Sequence, residues 1–247
     1  MKSFMSSHSN WPMKSTVALF QFSRQILVSV AAAVTFIAAP VVFAAGGPVA
    51  LDATPAAKLK DKAAMQNGAK IFVNNCMGCH GVSAMRWSRL TDIGFTEEQI
   101  KGLMPAGVKA GDYMRTSMNR NDAKEWFGAA PPDLSLTARS RSSHSGTGTD
   151  WIYTFLRTYY EDPSRPTGWN NKTFVGVGMP HVLWEMQKTK SPAEFDSAVG
   201  DIAAFLNYVS EPSQFSRKSA GIVVMIFLAI FFVLAWRLNK AYWKKIK

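Results

Sequence analysis

The sequence predicts an all-α domain with long loops, followed by one C-terminal transmembrane helix. Three observations carry this. Apolar residues recur at helical spacing behind recognisable start signals, as in Phe195, Val199, Ile202, Leu206 and Val209 after Ser191-Pro192-Ala193-Glu194. No strand pattern of useful length and no internal repeat appears. The run Ser219 to Trp236 holds 18 residues without a charge, about 27 Å of helix and close to the hydrocarbon thickness of a bilayer.

Taken in order, a linker rich in Ala, Gly and Pro (Ala45 to Ala57) leads to a helix expected from about Asp61 to Asn74. Thr96-Glu97-Glu98-Gln99 is a capping box, opening a short helix to about Met104. Asp122 to Glu125 opens a brief turn ending at Phe127, and Pro131 and Pro132 break it. Arg139 to Thr149 reads as a Ser/Gly/Thr-rich loop, with Asp150 capping a helix through Thr158. Glu161 to Gly178 reads as irregular chain. Ser191 caps the last helix of the domain, with proline at its first position and Glu at its third, and Pro212 stops it. Loops this long in a compact domain need an organising element, and a bound cofactor can be one.

The net charge of +11 comes from 28 basic and 17 acidic residues. Eight of the basic residues lie at the ends: Lys2, Lys14 and Arg24 before one apolar run, Arg237, Lys240, Lys244, Lys245 and Lys247 after the other. The middle is therefore about +3, and the excess is a targeting and topology signal that removes the nucleic-acid reading. Residues 1–45 have the n-region, apolar stretch and small residues of an export signal, cleaved near Ala44 or Ala45, with Met1 or Met13 as the start. The retained-anchor alternative stays open, because the apolar run of Ile26 to Ala45 is long. The expected organisation is an external, periplasmic domain over residues 46–218, a span over 219–236 set in membrane lipid, and a cytoplasmic basic tail over 237–247.

Both cysteines fall in Cys76-Met77-Gly78-Cys79-His80. Residues i and i+3 share a helix face, so two thiols at this spacing can add to the two vinyl groups of one haem. His80, next along, offers its imidazole to the iron, and C-x-x-C-H is read as c-type haem attachment. A thioredoxin-like pair wants a βαβ context, and a zinc site wants two further ligands. The expected cofactor is one covalently bound haem c with its iron. For the second axial ligand the methionines Met65, Met85, Met104, Met114, Met118, Met179 and Met186 are candidates, with His181 and His144 as imidazole alternatives. Met179 stands out because it follows Gly176-Val177-Gly178 and precedes Pro180, an extended segment able to approach a flat ring. Arg139 and Arg141 are either a solvated pair or partners for a haem propionate.

Together these segments resemble the cytochrome c1 family, the haem subunits of quinol–cytochrome c reductase (bc1) complexes, in bacterial form. The resemblance runs from about Leu51 to the C-terminus. It rests on Cys76 to His80, Met85-Arg86-Trp87-Ser88-Arg89-Leu90, Trp126 to Ser135 with Pro131-Pro132-Asp133-Leu134-Ser135, Arg139, Gly178-Met179-Pro180 and Phe205 to Pro212, with a single anchor after them. It implies that Met179 is the axial methionine, that Arg139 lies near a propionate, and that Pro131 and Pro132 pack on the haem pocket. It also implies a redox subunit that is not an enzyme by itself. Its partners would be cytochrome b, the Rieske iron–sulfur protein and a soluble cytochrome c acceptor, within a dimeric complex. The chain lacks the cysteines for the extra disulfide of some relatives and shows no pronounced acidic cluster; Glu161-Asp162 is a lone local pair. The rivals are a membrane-anchored cytochrome c serving a terminal oxidase or other reductase, and a haem sensor or peroxidase.

Overall fold

A computed structural model describes residues 50–244, apart from the side chain of Phe215. The export signal expected over residues 1–45 and the last three residues of the basic tail lie outside the described residues. The domain is built on helices. The first long one, α1 (Lys62–Asn75), is capped by Asp61, whose side chain accepts from the Ala63 N–H at 2.9 Å. Its buried residues Ala64, Met65, Gly68, Ala69 and Phe72 recur at steps of three and four, giving one apolar face.

That face packs on the longest helix of the domain. It is numbered α7 (Pro192–Ser210) after α2 (Glu97–Leu103), α3 (Arg120–Phe127), α4 (Thr137–Ser140), α5 (Gly148–Arg157) and α6 (Trp184–Thr189). The capping box expected at Ser191 and Glu194 is formed, with Pro192 at the first position. The two helices touch at Gly68, where an added Cβ would sit 2.0 Å from the Asp201 carbonyl oxygen. No side chain fits there, so glycine sets the helix separation. One turn on, Phe72 meets Phe205 with ring centroids 5.6 Å apart. Asp201, buried beside the crossing, is bonded by Lys58 and by Asn67 Nδ2 at 2.7 Å, so its charge is paired.

Helix α5 lies on the other side of α7. Its cap is Thr147, with Asp150 completing a capping box from the third helical position. Asp150 was the expected cap; the helix starts at Gly148 because Thr147 satisfies the N–H of Asp150 while Asp150 reaches back to that of Thr147. Arg157, in its last turn, bonds Asp196 on α7 at 2.6 Å and Asp52 of the linker at 2.8 Å. Helix α2 carries its expected capping box.

Other segments are more ordered than the residues suggested. The turn expected at Asp122 is the two-turn helix α3, capped by Asn119 and closed by Gly128 at φ +75°. Arg139 sits in α4, not in a loop. Two short antiparallel ladders are present: β1 (Val82–Arg86) with β2 (Tyr113–Met114), and β3 (Tyr159–Glu161) with β4 (Trp169–Asn171). Strands of two to five residues are too short for a period-2 pattern to stand out. The fold is otherwise helical, as expected.

After Pro212, helix α8 (Gln214–Trp243) runs 30 residues, beyond the expected span of 219–236 at both ends. Within it, Ser216–Trp243 is long and apolar enough to cross a membrane, and its side chains are exposed. The Lys240 ammonium lies 4.1 Å from the Trp236 ring centroid, a cation–aromatic pair suited to a membrane interface.

Gly68→Ala should force α1 away from α7. The expected outcome is a loss of about 1–3 kcal/mol or more, as for overpacked cores, measured as a lowered denaturant midpoint. An unchanged midpoint would show that the crossing is looser than the contact implies.

Candidate haem site

Cys76 is the C-cap of α1, and its N–H bonds the Phe72 carbonyl at 2.8 Å. Met77 N–H bonds the same carbonyl at 3.0 Å, and the N–H groups of Cys79 and His80 return to Cys76 O at 3.1 and 2.8 Å. The motif is thus one tight turn hung from a core phenylalanine, and the two thiols are not joined as a disulfide. Burial, with Cys79 adding to it, pushes the Cys76 thiol up to about 12. Both cysteines are free, and among the described residues no group of three or more His, Cys, Asp or Glu side chains could hold a metal ion. The turn therefore fits thioether formation better than a zinc site.

His80 is buried, and its Nδ1 lies 2.7 Å from the Pro132 carbonyl oxygen. Burial lowers its pKa, outweighing the opposite pull of that carbonyl and of the Asp133 charge. A neutral imidazole donating from Nδ1 keeps the Nε2 lone pair for a metal, the arrangement that orients ligand histidines.

Pro132 is held in place by the segment around it. Leu134 N–H bonds Gly81 O at 2.8 Å, and Ala84 N–H bonds Ser135 Oγ at 3.0 Å. Asp133 accepts from Ser83 N–H at 2.8 Å through one oxygen and from Ser135 N–H at 2.9 Å through the other. Burial raises the Asp133 pKa, but the hydrogen bonds of Ser135 and Ser83 outweigh it and leave the carboxyl below its usual range. The strap brings Gly81 so near that an added Cβ would sit 3.2 Å from Asp133 Oδ2 and 3.3 Å from Thr116 N. Pro131 is half-buried and lines a cavity of about 210 Å³ beside Cys79.

Met179 is half-buried and packs on the core, after Gly176 at φ +78°. Tyr159 Oη donates to the Met179 carbonyl at 3.3 Å, and Arg165 Nη2 donates to Gly176 O at 2.8 Å. His181 is buried and already engaged. It stacks on Tyr159 at 4.7 Å, meets the edge of Trp169 at 4.8 Å, and has Nε2 2.5 Å from Gln187 Oε1. That assignment makes it a brace for the Met179 loop. His144 is exposed, and Met65, Met85 and Met114 are packed in the core.

Arg139 is exposed, with no ion pair among the described residues. Arg141 is the better-fixed cation: its guanidinium lies 4.5 Å from the Trp151 ring centroid and 6.0 Å from that of Phe174. Trp151 in turn stacks on Phe155 at 4.9 Å. Reasoning from the residues missed the roles of Arg165, Gln187 and the Pro132 carbonyl. Of these, a polar side chain six places after His181 was a signal, though a weak one.

The donor set fits a haem c. Two unpaired cysteines and a neutral imidazole share one turn, and a methionine sits on a braced, glycine-flanked loop. Large apolar side chains, Leu136, Phe174 and Val175, are exposed along the segments that carry Arg139 and Met179, where a flat apolar ring could cover them. Fold and site together define a helical protein of the c-type cytochrome class, with one helix among the described residues long and apolar enough to cross a membrane.

Comparison with known proteins sharpens this. The Cytochrome C1 family matches over residues 54–246. The chain is 39% identical over 217 residues to a cytochrome c1 of Allochromatium vinosum, covering 76% of this chain and 86% of that one. It is 30% identical over 230 residues to cytochrome c1 of Rhodospirillum rubrum, covering 76% and 83%. A Nitrosomonas europaea protein named as an ammonia monooxygenase gamma subunit is 39% identical over 224 residues, covering 83% and 93%. The chain belongs to the cytochrome c1 family, the electron-transfer haem subunits of bc1 complexes.

The depressed Asp133 pKa makes a signed prediction. Its stabilising contribution is present above the ordinary carboxylate value of about 4 and is lost as pH falls through the lower folded value. Denaturant midpoints taken from pH 7 down to pH 3 should fall less steeply at the acid end in Asp133→Asn, from a lower start at pH 7. Superimposable profiles for the two proteins would contradict this role.

Proposed function

We propose that this chain is a one-electron relay between the Rieske iron–sulfur protein and a soluble cytochrome c, assembled with cytochrome b in a dimeric bc1 complex. The observation that carries it is His80, buried at the end of α1 with Nδ1 on the Pro132 carbonyl. A haem c bound here supplies a reversible Fe(III)/Fe(II) couple. Cys76 and Cys79 would hold it by two thioethers, and His80 and Met179 would supply the ligands to its iron. The His80–Pro132 bond keeps a proton on Nδ1, so that Nε2 faces the iron in one fixed orientation.

A thioether ligand favours a higher potential than an imidazole would, which suits a relay late in a redox sequence. Tyr159, Arg165 and His181 hold the Met179 loop, limiting the rearrangement that accompanies each electron. Pro131 and Pro132 pack on the ring, and Arg139 or the better-fixed Arg141 balances a propionate. Such a relay needs no general acid, base or nucleophile, and on this reading the chain is a redox subunit and not an enzyme by itself. Residues 219–236 span the membrane, with the domain of residues 46–218 in the periplasm and 237–247 in the cytoplasm; residues 1–45 are the cleaved signal. The basic tail supports that orientation.

The name of the Nitrosomonas relative favours a second reading, a subunit of an ammonia monooxygenase. Purification from membranes decides between them. Cytochrome b and Rieske subunits in stoichiometric amounts support the relay, and a monooxygenase core in their place refutes it.

Met179→Leu should lower the reduction potential sharply and open the iron to carbon monoxide. The check is a redox titration with spectra of the purified complex. An unchanged potential with an intact methionine–iron absorption band would remove Met179 from the site.

A further inference from the structure

Beside Cys79 the surface is basic. Arg115 and Arg120 line the cavity there, together with Met118, Pro131 and Asp133. Arg115 lies 5.5 Å from the Tyr113 ring centroid; Arg86 lies 4.2 Å from the same centroid and donates to Tyr113 Oη at 3.0 Å. Lys124 is one helical turn from Arg120 and exposed on the same side of α3. Among the described residues none of these four cations is in an ion pair, whereas Arg89, Arg157 and Arg217 each are.

Local carboxylates offset this charge only in part. Asp133, the one lining the cavity, accepts from the N–H groups of Ser83 and Ser135 and is in no ion pair with Arg115 or Arg120, leaving an excess of positive charge. Asp122 and Glu125 are also on α3, but at 100° per residue they point roughly 140–160° away from Arg120. Arg120 opens α3, where the helix dipole disfavours a cation. Its placement gains nothing for the helix.

The rim is firmly mounted: Thr116 Oγ1 donates to Gly78 O at 2.9 Å and accepts from Met118 N–H at 3.1 Å. Trp126 and Phe127, 66% and 54% exposed at the end of the same helix, add an apolar contact to the charged rim. Aromatic residues beside unpaired arginines are the composition of a protein-docking surface.

We propose that this rim, formed by Arg86, Arg115, Arg120 and Lys124 around Cys79, docks an electron carrier whose contact face is acidic. The proposal rests on the relay reading and adds the charge of its acceptor. Small redox interfaces depend on charge complementarity for their encounter rate, and an acidic face is the complement of this one. Arg115 and Arg120 share a cavity with Cys79, so a carrier docked on the rim would lie beside a residue that attaches the haem.

The test uses the intact complex, quinol as donor, and two soluble c-type cytochromes as acceptors, one with an acidic and one with a basic contact face. The acidic acceptor should react faster at low salt and slow as salt is raised. The Arg115→Glu/Arg120→Glu pair should cut that rate about tenfold at low salt, reverse its salt slope, and speed the basic acceptor. Arg115→Gln/Arg120→Gln, which avoids charge reversal, should give an intermediate loss, as should Lys124→Glu alone. Faster reaction with the basic acceptor, or rates and slopes unchanged in variants with normal haem content, would overturn the docking surface. Altered binding to anionic vesicles with unaltered transfer would do the same and assign the rim to lipid. Haem reduction by quinol without any acceptor separates the two levels. Its loss in the wild-type complex sinks the relay reading, while intact reduction without charge dependence sinks the docking surface alone.

Discussion

A histidine that is to bind iron must keep its ring neutral, fix which nitrogen bears the proton, and hold the other toward the metal. In this chain those requirements converge on one hydrogen bond, between His80 Nδ1 and the Pro132 carbonyl. The bond joins two segments more than fifty residues apart, so both must be placed by the fold. On one side α1 delivers the motif, and α1 is positioned by the Gly68 contact with Asp201 and by the Phe72–Phe205 pair. On the other, Asp133 and Ser135 strap the proline segment along Gly81 to Ala84. Burial from both directions keeps the imidazole uncharged.

The segment of the proposed methionine ligand follows a different logic. Met179 sits on a glycine-flanked loop that has little regular structure to stiffen it. Stiffness comes instead from Arg165 on the Gly176 carbonyl, Tyr159 on the Met179 carbonyl, and His181 wedged between Tyr159, Trp169 and Gln187. If Met179 binds the iron as proposed, such braces would limit its motion between oxidation states, which is what fast electron transfer asks of a protein. The short β3–β4 ladder carries Tyr159 and Trp169 into position, so the small amount of sheet in this helical fold serves the site.

Much of this was legible in the residues. Cys76, Cys79 and His80 declare themselves by spacing, two capping boxes announce α2 and α7, and the uncharged run after Ser219 announces α8. The most influential contact was not legible, because it uses a main-chain carbonyl that every residue has. Only the fold decides that Pro132 is the one beneath His80. Thr147 and Asp150 were both able to cap, and reciprocity decided between them. Arg139 and Arg141 are alike in sequence, two places apart; the aromatic wall of Trp151 and Phe174 distinguishes them. The two ladders escaped notice because pairing, not pattern, makes strands so short.

The central claim is that one turn of chain, hung from α1 and held by Pro132, carries a covalently attached haem. Mass spectrometry of the proteolytic peptide containing Cys76 to His80, from protein purified without reductant, tests it most directly. The account predicts that this peptide carries the mass of one haem joined through both sulfurs, with neither cysteine open to alkylation. A peptide of unmodified mass, with two alkylatable thiols or a Cys76–Cys79 disulfide, would contradict it.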